Sequence, residues 1–257
     1  MRSFPAGSAE IKEIEMVAYR AWPAREVVSL GGWLLRADLG VTRRANSVLP
    51  IGEPSLSLDE AIDHVIDFYH SRDLVPRFQM TKASCPIGLD EVLDNVGFCY
   101  NLKTYVETAS LGKLTKEVAA HDVELYNHPT REWLSAFAHA GEIDEESAQV
   151  RGAILERIQA DTRFALIRQN GRIAGVCVGV LEGQWLGLFG LVTEKEHRHK
   201  GIAISLNQEL ASWASKSGAT MAYLQVVAEN EAALSLYHRL GFRIRYVYWY
   251  RQLAEKK

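Results

Sequence analysis

The chain has little charge imbalance, few cysteines and no long apolar run. Lys and Arg number 29 against 32 Asp and Glu, a formal net charge of −3. Bulk charge therefore gives no reason to expect nucleic acid or an anionic membrane as partner. A local basic loop could still hold a small anion, and Arg198 to Lys200 is such a loop. The longest apolar stretch, IAGVCVGVL from Ile173, is nine residues, too short to cross a bilayer. MRSFPAGSAE at the start lacks the apolar core of a secretory signal, so a cytoplasmic protein is expected. Cys85, Cys99 and Cys177 show no paired spacing and lie in or beside apolar runs, which reads as reduced core or near-core thiols. His197 and His199 have no second cluster at ligand spacing, and a metal site is rejected.

What is present is an ordinary globular composition, 47% hydrophobic and 24% charged over 257 residues. That length allows two domains of about 125 residues or one larger domain. The second half reads as α+β with a mostly antiparallel sheet. Residues 120–128 look like a strand, and PTREWLSAFAHA and EESAQVRGAILERIQA carry helical spacing in Trp133, Leu134, Phe137 and in Val150, Ile154, Ile158. Two β-rich runs flank Asn170-Gly171, the strongest short-range hairpin signal, and EGQ at 182–184 turns the chain into WLGLFGLVT. A helix through IAISLNQELASWA, a strand MAYLQVVAE, a helix NEAALSLYHRLGF and an aromatic strand RIRYVYWYRQL complete it.

The first half repeats this order. Setting Val96-Gly97-Phe98 on Leu240-Gly241-Phe242 gives an offset of 144 residues, at which Ile62, Ile66 and Tyr69 fall on Leu206, Leu210 and Trp213. A gapless register over about forty residues points to a duplicated architecture. The boundary is expected within SLGKLTKE, giving halves 1–112 and 113–257. Under the offset, Arg198–Ala203 falls on PSLSLD, which has neither glycine nor a basic residue, and Tyr237 falls on Leu93. The first half keeps the frame without those groups.

A basic, glycine-containing loop running into a helix suits a polyanion. The helix N-terminus presents unpaired N–H groups and the positive end of its dipole, Gly201 lets the main chain approach closely, and Arg198 and Lys200 add charge. The pattern from Arg198 through Gly201 to Ala203 is common by chance; its context of strand, loop, helix, strand and NEAALSLYHRLGF gives it weight. With these residues the second half resembles the GNAT acetyltransferase superfamily, whose acetyl-CoA site uses an R/Q-x-x-G-x-G/A loop. The whole chain, with GGWLLR and TRRANSV in its first half, resembles tandem GNAT proteins with a degenerate first copy. The resemblance implies two GNAT-like halves, each a mixed, mostly antiparallel sheet flanked by helices.

It further implies that the CoA diphosphate sits on the amides of His199, Lys200, Gly201, Ile202, Ala203 and Ile204 beside Arg198. Pantetheine would run along the splayed strand end at Leu191, Val192 and Thr193, with Asn230 capping a helix and approaching it. The N–H of Leu191 or Val192 would stabilise the oxyanion, and Tyr237 would protonate the leaving thiolate. Read without the resemblance, Tyr237 on an apolar helix is a core residue. Some relatives carry Glu five residues before the Asn; here that position is Gln225, and no base is assigned. Glu182, Glu229 and His197 remain substitutes, as does water. The implied activity is acetyl transfer from acetyl-CoA to a primary amine on a small molecule or peptide. Its alternatives are a silent acyl-CoA-binding sensor and transfer of a longer acyl chain. A homodimer is compatible with this reading, and Arg43 and Arg44 stay unexplained by it.

Overall fold

Residues 6–115 and 119–254 are described by the structure, a computed structural model. The residues MRSFP and positions 116–117 of the expected boundary stretch lie outside them. The chain forms two compact units: residues up to Tyr105 with those from Arg245 on, and Val106–Ile244. These differ from the expected halves in two ways. The division falls before SLGKLTKE, and the last strand returns to the first unit.

The first unit begins with α1 (Ser8–Ala21), whose Ile11, Ile14, Val17, Ala18 and Ala21 recur at spacings of three and four and are buried. The strands β1 (Glu26–Leu30) and β2 (Trp33–Ala37) form an antiparallel hairpin, and β2 pairs antiparallel with β3 (Val48–Pro50). A crossover through α2 (Leu58–His70) brings β4 (Arg77–Met80) parallel to β3. Then come α3 (Leu89–Asn95) and β5 (Phe98–Ser110). Trp33, Leu35, Tyr69, Phe78 and Phe98 fill the core.

The TRRANSV segment has an internal structural role in this unit. The side chain of Asn46 accepts from the N–H groups of Asp38 and Gly40 and donates to the carbonyls of Val41 and Thr42, stapling the turn before β3. Arg36 donates to Ser47 and Gln79, whose amide donates to Glu15, which also accepts from Tyr246. Arg44 stacks 5.0 Å over the Trp22 ring.

The second unit holds α4 (Leu111–Leu114), β6 (Glu124–Tyr126), α5 (Arg131–Ala140), α6 (Glu145–Glu156), β7 (Asp161–Gln169), β8 (Arg172–Glu182) and β9 (Trp185–Thr193). It continues with α7 (Ile202–Lys216), β10 (Met221–Val227) and α8 (Glu231–Arg239). The strand expected over 120–128 is confined to β6. Strands β6 to β9 form an antiparallel meander, and β10 joins β9 in parallel after the crossover α7. The final strand β11 (Arg243–Leu253) pairs antiparallel with β4, Trp249 opposite Met80, inside the first unit. The neighbour of β10 in the second unit is β5, whose following Leu111 donates to the Thr220 carbonyl at 2.9 Å. Each unit is thus closed by the other half's last strand.

The repeat is visible in the elements. Helices α2 and α7 start at Leu58 and Ile202, β4 and β10 start at Arg77 and Met221, and α3 and α8 end at Asn95 and Arg239, each 144 residues apart. Cys177 is buried as expected, but strand alternation leaves Cys99 exposed on β5. Among the described residues no helix is long and apolar enough to cross a membrane.

Candidate active site

The site begins where β9 and β10 part. They pair only from Trp185–Gly187 to Met221–Tyr223, although β9 continues to Thr193 and β10 to Val227. Aromatic packing marks the apex: Tyr223 sits edge-on to Trp185 at 6.2 Å and to Phe189 at 5.9 Å. Only glycine fits beneath it, since a Cβ on Gly187 would stand 2.6 Å from the Tyr223 hydroxyl. Beyond the apex, the edge of β9 away from β8 pairs with no strand among the described residues.

In the same stretch the ladder on the other side of β9, toward β8, carries a bulge. Val176 faces Val192 and Val178 faces Phe189, so Cys177 of β8 is opposed by both Gly190 and Leu191. Gly190 has φ +59°, left-handed backbone that favours glycine. A bulge leaves one residue of the ladder without its regular partner. Burial pushes the Cys177 thiol up to about 12, keeping it protonated.

The cleft that results has a volume of about 540 Å³. Its walls include Leu191, Val192, Thr193, Arg198, His199, Gly201, Ile202, Ala203, Ile204 and Asn230, ten of the twelve residues predicted for the site. Lys200 is exposed and does not line the cleft. Tyr237 does not line it either; it is on the buried face of α8, 7% exposed, with Phe242 edge-on at 5.6 Å. Its hydroxyl makes no hydrogen bond with any described residue, and it is not among the fully enclosed polar atoms that lack a partner. Burial raises its pKa, with smaller contributions from Cys177 and Glu107.

At the mouth, a short 3₁₀ turn (Lys195–His197) leads into the loop before α7. His199 and Gly201 both take left-handed backbone, φ +61° and +83°. Arg198 folds back toward the Thr193 carbonyl at 3.4 Å. Asn230 caps α8, accepting from the Ala233 N–H at 3.0 Å, and also lines the cleft. The end of α5 is tethered to the exit of β9 by the His139–Glu194 and Lys195–Glu142 pairs, 2.8 and 2.6 Å.

Sequence reasoning missed Ala140, Ala232, Ala233, Leu236 and Arg239 in the walls. The signal was available for three of them: 232, 236 and 239 are spaced four and three apart, one stripe of α8. No ion pair among the described residues engages Arg198 or Arg239, and no carboxylate lines the cleft among them. Of the suggested bases only His197 reaches it; Glu182 lies beside Trp185 at the far end of β9, and Glu229 is outside the walls.

Known proteins share this architecture. The uncharacterized N-acetyltransferase YobR of Bacillus subtilis is 32% identical over 244 residues, 91% of this chain and 94% of that protein. The probable histone acetyltransferase Rv0428c of Mycobacterium tuberculosis is 26% identical over 94% of this chain and 74% of its own length. In fold, a GCN5-related N-acetyltransferase from Kribbella flavida superimposes with a TM-score of 0.71 at 18% identity, covering 95% of this chain and 96% of that one. Residues 8–251 match the family described as "Probable histone acetyltransferase Rv0428c C-terminal", and the chain belongs to that family of GNAT N-acetyltransferases.

Proposed function

We propose that the second unit binds acetyl-CoA and transfers its acetyl group to a primary amine. The observation that carries this reading is one cleft combining a parted strand pair, a bulge where β9 meets β8 and a basic loop at its mouth. The residues fit the cosubstrate. A wall with Arg198 and Arg239 and no carboxylate suits a diphosphate, and the unpaired edge of β9 can bond an amide-bearing arm as an added strand would. When bound, acetyl-CoA supplies a thioester carbonyl that a neutral amine attacks, forming the C–N bond as the C–S bond breaks.

The chain's own contributions follow from the cleft walls and, for Tyr237, which does not line the cleft, from its spacing to Asn230. An N–H of Leu191 or Val192 would donate to the oxygen as it gains charge. Tyr237 would give its proton to the leaving thiolate. Its raised pKa keeps that proton in place at neutral pH, and the same apolar surroundings raise the proton affinity of the thiolate. With no carboxylate in the walls, the ammonium proton of the acceptor leaves through water or His197. The first unit would bind no second cosubstrate. At the start of α2, Glu60 already accepts from the Ser57 N–H at 3.2 Å and hydroxyl at 2.6 Å, placing a carboxylate where an anion would dock.

Two measurements test the reading. Titration calorimetry with acetyl-CoA should give one site per chain, and thiol release should appear with at least one amine among amino acids, polyamines, aminoglycosides and peptide N-termini. Two sites would refute the assignment of the first unit. Binding without thiol release from any acceptor would favour a sensor.

A further inference from the structure

We infer that His121 is a positioning residue that holds the phosphate loop in its binding shape, an inference that rests on the acetyl-CoA reading above. The segment just before β6 carries no recognisable site motif, yet it meets the loop and α7 twice. The Ala120 N–H donates to the hydroxyl of Ser205, buried in the first turn of α7, at 3.1 Å. His121 Nε2 lies 2.8 Å from the Lys200 carbonyl oxygen. A carbonyl only accepts, so Nε2 carries the proton, and Nδ1 is left to accept from the Gln169 side-chain amide at 3.3 Å. A strand residue of β7 thereby fixes the ring, and the ring fixes one peptide of the loop.

That peptide is the one that matters. A trans peptide points its carbonyl and the next N–H to opposite sides. Holding the Lys200 carbonyl on the His121 side therefore turns the Gly201 N–H away from it, at the residue where the loop enters both the cleft wall and α7. The flanking backbone needs such a restraint, because His199 and Gly201 sit in left-handed regions that a free loop would leave part of the time. His121 does not line the cleft and would act only through Lys200. A loop held in shape before the ligand arrives avoids the ordering cost on binding.

Calorimetry with two probes tests this. Acetyl-CoA carries the diphosphate; S-acetylpantetheine has the same thioester arm without it. His121→Ala should lose roughly tenfold in acetyl-CoA affinity and little for S-acetylpantetheine. His121→Gln, whose amide nitrogen can reach the same carbonyl, should recover most of the loss. Gln169→Leu should weaken acetyl-CoA in the same direction by less. Wild-type affinity for acetyl-CoA in His121→Ala would overturn the inference, as would an equal loss for both probes, which would mark a general structural defect. If the wild-type protein does not prefer acetyl-CoA to S-acetylpantetheine, the phosphate-loop reading itself fails, and that result is separate from any behaviour of the variants.

Discussion

Gly201 has a second requirement for glycine beside the one its motif suggests. The sequence argument prized its missing side chain for letting phosphate approach. In the structure a Cβ there would meet the His121 ring at 3.6 Å, an ordinary contact, while φ +83° by itself favours glycine. A left-handed residue other than glycine costs about 1–2 kcal/mol. Gly201→Ala should therefore weaken acetyl-CoA binding by roughly five- to thirtyfold, checked by calorimetry, with at most a small drop in melting temperature. Tyr237 tests the chemistry separately. The spacing from Asn230 suggests a catalytic reading and its apolar helix a core one; burial against Phe242, outside the cleft walls, is what the core reading expects, and turnover decides between them. Tyr237→Phe removes no hydrogen bond made within the described residues, so its melt should stay near wild type. If the hydroxyl protonates the thiolate, kcat falls by roughly 10² to 10⁴ while acetyl-CoA affinity holds within about threefold. Unchanged turnover would return Tyr237 to the core.

Elements were legible where periodicity was strong and opaque where geometry depends on a partner. The hairpin at Asn170-Gly171, α7 and α8 appear where expected, because turn chemistry and helical spacing are local. The bulge was hidden inside WLGLFGLVT. An isolated glycine in a strand can signal a bulge, but three glycine-spaced apolar residues there suit a regular strand equally, and only β8 decides between them. The joint of α3 with β11 was equally invisible, since its groups lie far apart in sequence. Arg251 donates to Asp90 at 2.9 and 2.8 Å and Trp249 donates at 2.7 Å, while Arg251 also pairs with Asp94. The Arg251 hydrogen bonds hold the Asp90 carboxyl below its ordinary value of 3.8. Its contribution to stability is therefore present above that value and lost as pH falls through the lower folded pKa. Buried Glu15 in the same unit is shifted upward by desolvation, so its effect has the opposite sign and lies above 4.5, in a separate window. Asp90→Asn should accordingly flatten the fall in melting temperature between about pH 4 and pH 2 while leaving the slope above pH 5 intact. Parallel curves for variant and wild type would show that the pair does not contribute.

At the scale of the molecule, the repeat could be read at an offset of 144 because the two copies share helix spacing and strand order. The exchange of closing strands could not. Both β5 and β11 are aromatic or β-branched runs following a Gly-Phe turn, and either could close either sheet by local criteria. The consequence is that the duplicated sequence halves are not the structural units. A fragment spanning 113–257 would lose Val106, Ala109 and Leu111, all buried in the second unit. Burial of the valine and leucine alone is worth roughly 3–6 kcal/mol, a large share of the about 5–15 kcal/mol that holds a domain together. The same fragment would leave the edge of β10 unpaired and carry β11, with Tyr246, Tyr248 and Tyr250, without the β4 that covers it. Such an edge is prone to aggregate. Val106–Ile244, by contrast, retains its closing strand end, its core and every wall of the cleft. It should melt cooperatively by circular dichroism and bind acetyl-CoA within about threefold of the full chain, whereas 113–257 should show neither behaviour. A well-folded, acetyl-CoA-binding 113–257 would mean that β11 can replace β5 beside β10, and that the exchange carries no part of the stability assigned to it.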